Sequence, residues 1–297
     1  MRHCIPAVAL TLIVACGCHK DEPSAPCCEP LVSAYPLAKG MTWQYSYYSA
    51  YYNIRTTDSS AINQLDTVSG ISTVVAAGDT VLGPVGAQGG DSVRVSILAE
   101  YRVQLAPKQV VSSGPPGCSL YSAGGSGIYL EGYSGIAGHS LPKVSPGPIS
   151  MRVAGRVYSS RRELVASLLG MPNSPSDEPI VREIPPKLTI RIPLAIGTSW
   201  TFRPSNGTFG IDKQVTGEED FTLSGKTYPC AVVRWLYSMS SGDPYTAISV
   251  VDLISPNGLL KRTIDLKNVV ITTMTNPDSA GLMDYREEYF ATDVHAN

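Results

Sequence analysis

The side chains able to move a proton or attack a carbonyl are few in this chain, and their spacing suits neither task. Of the four histidines, His3 lies in an apolar N-terminal stretch, His19 in a Pro-broken segment and His295 near the end, which leaves His139 as the one candidate base. It stands in Gly138-His139-Ser140-Leu141-Pro142, where Pro142 takes the place of the second glycine of a nucleophile elbow. Without a strand-then-helix setting, that segment reads as a loop. The acidic runs Glu218-Glu219-Asp220 and Glu287-Glu288 would work as paired carboxylates only across a cleft. Near turns they read as solvated charges on strands. Cys18, His19, Cys27 and Cys28 have metal-binding side chains, but prolines between them argue against the tight turn such a site needs. P-loop, paired Cys-x-x-Cys and His-Glu-x-x-His patterns are absent. No catalytic residue, metal ligand or cofactor is assigned.

The aromatic balance is more suggestive, with Tyr 16 against Phe 4. Trp43, Tyr45 and Tyr47 are spaced two apart and share one face of a strand, with Tyr48, Tyr51 and Tyr52 close behind. Tyrosine suits a ring that is half buried with a wet hydroxyl. A carbohydrate platform or a cleft for an apolar ligand would use such a face, which makes Trp43, Tyr45 and Tyr47 the candidate ligand-binding residues. An ordinary sheet surface uses the same residues.

The N-terminus carries an address. Arg2 and His3 precede an apolar run from Ile5 to Ala15, too short to span a bilayer but suited to an export signal over residues 1–15. Ile13-Val14-Ala15-Cys16 resembles the lipobox of bacterial lipoproteins, with Cys18 as a rival. The resemblance implies diacylglyceryl attachment at the Cys16 sulfur, cleavage before it and acylation of the new amino group. Several acyl chains at one residue make a stable anchor. Gly17 stands where that family carries an inner-membrane retention aspartate, so the resemblance implies the outer membrane. Residues 16–34 have no apolar period and read as a disordered tether. Removing Cys4 and Cys16 leaves Cys18, Cys27, Cys28, Cys118 and Cys230, an odd number, so one thiol stays free or pairs between molecules. Cys230 reads as a small buried hydrophobe.

One motif occurs twice. Pro36-Leu37-Ala38-Lys39-Gly40-Met41-Thr42-Trp43-Gln44-Tyr45 returns 157 positions later as Pro193-Leu194-Ala195-Ile196-Gly197-Thr198-Ser199-Trp200-Thr201-Phe202. Such a period is too long for a solenoid and suggests duplication of a domain or half-domain. The pattern is similar to one that opens the folded part of many bacterial surface lipoproteins of unassigned activity. Physically, the proline extends the chain, the glycine turns it, and the aromatic pair anchors one strand face in a core.

These features must be positioned by mostly short, turn-linked elements. Charged residues make up 16% of the chain, below the usual quarter or so, and Gly 27 with Pro 23 exceeds the average share. The net charge of -2, without basic runs, argues against nucleic acid as a partner. Strands are expected near Ile71–Ala77, Ser92–Leu98, Gly127–Glu131 and Ile149–Val157. A capping box at Ser160-Arg161-Arg162-Glu163 predicts one short helix that ends at Gly170. Five prolines in Met171–Pro186 suggest an interdomain linker, and regular turns after it predict an antiparallel meander of long strands.

The expected fold is mainly β: two related antiparallel domains, residues 35–170 and 187–297, each a half-barrel or barrel-like meander, with the helix and the linker 171–186 between them. The expected role is that of a lipid-anchored cell-envelope protein that binds or scaffolds and is not an enzyme. A carrier or chaperone for an apolar ligand in a sheet concavity is the main alternative, and a hydrolase of envelope polymers the third. The partners of such a protein are the membrane, through its lipid, and a carbohydrate, an apolar ligand or an envelope protein.

Overall fold

Period-two alternation of large apolar and polar residues builds the molecule, and most of its strands exceed ordinary length. A computed structural model describes residues 29–56, 65, 67–84, 92–106, 110–111, 117–134, 149–171, 180–205, 209–239, 245–274 and 276–296. The first strands are β1 (Met41–Thr56), β2 (Val68–Leu82), β3 (Val93–Ala106), β4 (Val110–Val111), β5 (Gly117–Gly124) and β6 (Gly127–Tyr133). A short hairpin of β7 (Ile149–Val153) and β8 (Arg156–Tyr158) leads into the helix α1 (Arg161–Leu168). Then follow β9 (Val181–Arg191), β10 (Ser199–Arg203), β11 (Gly210–Leu223), β12 (Lys226–Ser238), β13 (Ile248–Ser255), β14 (Gly258–Thr273) and β15 (Gly281–Ala296).

All these strands join one antiparallel sheet, twelve of them along the path β10-β11-β12-β13-β14-β15-β1-β2-β3-β5-β6-β9, with β4 beside β3, β7 beside β14 and β8 beside β7. Its two ends meet. Trp200 Nε1 on β10 donates to Leu188 O on β9 at 3.1 Å, and Arg191 Nη1 donates to Ser199 O at 3.2 Å. The protein is thus nearly all antiparallel β, in a nearly closed, barrel-like sheet with one small helix. Closure leaves little free edge, which protects long strands from pairing with other chains.

Helix α1 forms where its caps require. The Ser160 hydroxyl accepts from Glu163 N at 3.2 Å, and the Glu163 carboxylate accepts from the amide and hydroxyl of Ser159, each at 2.8 Å. The reciprocal half of the box therefore falls one residue before the cap. Leu164, Val165, Leu168 and Leu169 are buried in one cluster with Phe202, Ile211, Tyr237, Ile264 and Tyr285. Tyr237 Oη donates to Leu168 O at 2.9 Å, which ties the last turn of α1 to β12. The expected strand Ile149–Val157 is instead the β7–β8 hairpin. It turns at Ala154-Gly155, both at positive φ, inside what reads as continuous alternation.

The two motif copies make the same turn. Gly40 and Gly197 take φ values of 92° and 88°, a region open to glycine at no steric cost. Gly40 N donates to Ala76 O and Met41 N to Ala38 O; Gly197 N donates to Val215 O and Thr198 N to Ala195 O. Each copy then enters the strand that carries its tryptophan.

Two expected boundaries need correction. Leu31 and Val32, placed in the tether 16–34, pair with Leu194, and Val32 is fully buried beside Trp200 and Val233. An aliphatic pair at the end of a polar segment gains by burial, so the folded part begins before residue 35. Within the linker 171–186, residues 181–186 belong to β9. Pairing with β6 lapses between Arg182 and Lys187, which is where Pro185 and Pro186 lack a donor, and β9 lies at the end of the sheet path, where proline is tolerated. Residues 1–28, 57–64, 135–148 and 172–179, which hold Cys16, Cys18, His19, Cys27, Cys28, His139 and Ser140, are among those outside the described residues.

Residues 35–170 and 187–297 also share the sheet: β1 pairs with β15, β6 with β9 and β7 with β14. Subtilisin is expected to cut first within the Pro-rich residues 172–179, and the nicked halves to co-elute in gel filtration until denaturant is added. Halves that separate in native buffer would establish two independent domains.

Candidate functional site

Inside the barrel lies a cavity of about 190 Å³. Alternation on β1 turns Trp43, Tyr45 and Tyr47 inward and Tyr48 outward, so the sheet-surface reading fits Tyr48 and fails for the other three. Trp43 and Tyr45 line the cavity, together with Tyr35, Tyr121 and Tyr289. Trp43 Nε1 donates to Asn257 O at 2.6 Å and Tyr45 Oη to Leu259 O at 2.8 Å, both at the start of β14 or the turn before it. Tyr47 stands aside from the cavity and stacks on Tyr289, with 5.9 Å between ring centroids. Burial pushes the phenols of Tyr45 and Tyr289 well above their ordinary range, so both rings are neutral donors.

Five charged side chains also line this space, and sequence reasoning missed all five. Strand register brings them together. Asp252 on β13 lies directly opposite Arg262 on β14, and the carboxylate accepts from Arg262 Nε at 2.7 Å and Nη2 at 2.8 Å. It also accepts from Trp235 Nε1 at 3.0 Å. Burial opposes the charge on Arg262, and Asp252 outweighs it, so the guanidinium is held charged. A second pair lies across the barrel: Arg102 Nε meets Glu100 Oε1 at 2.6 Å, and the Ser72 hydroxyl donates to the same oxygen at 2.6 Å. The Arg102 guanidinium sits 4.9 Å from the centre of the Tyr289 ring.

Lys213 is different. Only 2% exposed, it lies on β11 directly opposite Trp235 on β12 and Trp200 on β10. Its Nζ donates to Thr189 O at 3.0 Å and stands 3.8 Å from the Trp235 ring centre and 4.2 Å from that of Phe202. No ion pair of Lys213 is present among the described residues. Burial lowers its pKa to about 7, with Asp252 holding it up and Arg262 pushing it further down. A signal for these residues exists in hindsight. Ile211-x-Lys213-x-Val215, Val250-x-Asp252-x-Ile254 and Leu260-x-Arg262-x-Ile264 each place a charge in the register of a buried apolar face.

The other residues singled out by type and spacing fall elsewhere. Glu218, Glu219 and Asp220 are all exposed on β11, away from the cavity, as their reading as solvated charges requires. Glu287 is not: alternation on β15 turns it inward to 5% exposure, where it accepts from Tyr285 Oη. His295 is exposed and faces Asp293 at 2.9 Å. Cys230 is fully buried, its thiol pushed up to about 12 by burial, as an inert core side chain would be. Among the described residues, no group of three or more His, Cys, Asp or Glu is placed to hold a metal ion, and no helix is long and apolar enough to cross a membrane.

No family model matches the chain, and no curated protein matches it. Three crystal structures are similar in outline. One is described as an exported protein with a YmcC-like fold from Bacteroides fragilis: 8% identity, TM-score 0.32, covering 88% of this chain and 98% of that one. Another, described as a lipoprotein from Parabacteroides distasonis, shares 12% identity at TM-score 0.32 and covers 88% of this chain and 97% of that one. A DUF1329 family protein from Desulfovibrio piger shares 8% identity at TM-score 0.23, over 88% of this chain and 87% of that one. Scores this low leave the architecture to be read from the strand pairing itself.

Proposed function

We propose that this chain is a lipid-anchored protein of the bacterial cell envelope, at the outer membrane, that holds a small ligand with an apolar body inside its barrel. The cavity walled by Trp43, Tyr45, Tyr35 and Tyr121 is the observation that carries this reading. Concave aromatic and aliphatic walls with a few placed polar groups suit small-molecule binding. Each carboxylate that lines the cavity holds an arginine, which favours keeping a ligand over cutting one. The address is supported by the sequence alone, through the apolar run before Cys16 and through Gly17 after it.

Two measurements test the proposal. Cys16→Ala is expected to abolish metabolic labelling with a fatty acid and to leave the precursor unprocessed. Unchanged labelling there, with loss in Cys18→Ala, would move the anchor to Cys18. Native mass spectrometry of protein extracted gently from its own membrane is expected to show retained mass beyond the lipidated chain. Protein without added mass that also fails to take up an uncharged apolar fluorophore would sink the holding role.

A further inference from the structure

The charges that line the cavity do not balance. Glu100 pairs with Arg102 and Asp252 with Arg262, so the ammonium of Lys213 is the remaining cation. An ammonium has three donors. Thr189 O takes one, and the rings of Trp235 and Phe202 cover part of the rest, an arrangement that softens the loss of water without neutralising the charge. A buried charge needs a partner, and in this chain the space beside Lys213 is the cavity itself.

We infer that the ligand is an amphiphile whose monoanionic head, a carboxylate, docks on Lys213 while its apolar body lies along Trp43, Tyr45 and Leu98. This rests on the holding role proposed above and adds the ligand's chemical class to it. One excess positive charge matches one negative charge, so a singly charged head fits better than a doubly charged one. The docked carboxylate takes the partner position that Asp252 fills for Arg262. Apolar contact along the wall supplies the affinity, and the ion pair selects an acid over the matching alcohol.

The pH dependence follows from what faces Lys213. Arg262 on β14, bound to Asp252 on β13, is held charged by that carboxylate, and Thr189, Phe202 and Trp235 on β9, β10 and β12 carry no group that titrates near neutrality. Lys213 itself loses its proton near neutrality, because burial depresses its pKa to about 7. The anion therefore binds the charged form below that point and loses its partner above it.

Isothermal titration of the full chain in non-ionic detergent, with decanoate and with decanol, reads this directly. Between about pH 6 and about pH 8.5, decanoate is expected to weaken about thirty-fold while decanol stays constant, since each pH unit above the pKa removes up to tenfold of the charged form. Lys213→Met puts an apolar chain of similar length in place and is expected to remove the pH dependence of decanoate binding, so that decanoate and decanol respond to pH alike. The wild-type pH series needs no variant, so a misfolded Lys213→Met cannot obscure the result. If decanoate and decanol bind alike at both pH values, the head-group inference fails and the holding role stands. If the pH dependence survives in a folded Lys213→Met, Lys213 is not the anchor. If neither compound binds at either pH, the holding role fails and the inference with it.

Discussion

Trp43→Ala is expected to destabilise the protein by about 3–5 kcal/mol, as buried large-to-small changes do. Trp43 is 2% exposed and packs with Tyr45, Leu253, Leu260 and Ala291. Its indole N–H is spent on Asn257 O, so the variant also leaves the β13–β14 turn without its donor. That turn is built to receive the ring. Gly258 sits at φ 105°, and a Cβ there would stand 2.7 Å from Trp43 Nε1. Trp200→Ala is expected to cost a similar amount, since Trp200 is 6% exposed and bonded to Leu188 O across the closing seam. Urea titration followed by circular dichroism measures both, as a shift of the midpoint at constant slope. A loss this large is a substantial share of the ~5–15 kcal/mol that holds a whole domain together. A midpoint unchanged in either variant would return that tryptophan to the role of an exposed platform residue.

Asp252→Ala is expected to cost about 3–5 kcal/mol, because it strands a buried guanidinium instead of deleting a contact. Three donors lose their acceptor at once: Arg262 Nε, Arg262 Nη2 and Trp235 Nε1. Arg262 cannot escape by losing its proton. Lys213 feels the change too, since Asp252 is the carboxylate that supports its charge. Asp252→Ala combined with Arg262→Leu is expected to recover most of the loss, because a buried pair replaced by apolar groups is often neutral. If the double variant is no more stable than Asp252→Ala alone, the guanidinium is not the source of the cost.

Much of the fold could be read along the chain. Gly and Pro spacing predicted turn-linked β structure, the capping box placed α1 to within a residue, and the duplicated motif marked two equivalent turns at Gly40 and Gly197. The differences share one cause: local composition carries no information about partners distant along the chain. Pro185 and Pro186 suggested a linker, yet a strand at the end of a sheet path accommodates them in a pairing gap. Ala154-Gly155 passed for strand alternation and is a turn. Leu31-Val32 passed for tether and is pinned by Leu194, far along the chain.

What the sequence alone determined is the short-range part. Period two sets which residues share a face, so Trp43, Tyr45 and Tyr47 had to point the same way, and glycine and proline set where strands end. Periodicity cannot say whether that face looks into a core, a cavity or water. The choice falls to the closure of the sheet, which brings β15 against β1 and β9 against β10 and turns the aromatic face inward. Charge placement belongs to the same level. Lys213, Asp252 and Arg262 are ordinary strand residues until register sets Lys213 against Trp235 and Asp252 against Arg262 inside the barrel. Burial then makes them chemically distinct: it removes water, strengthens the Asp252–Arg262 pair and lowers the pKa of Lys213, which has no direct ion pair among the described residues, to about 7. Desolvation depends on everything that surrounds a side chain, and only the nearly closed barrel supplies that surrounding.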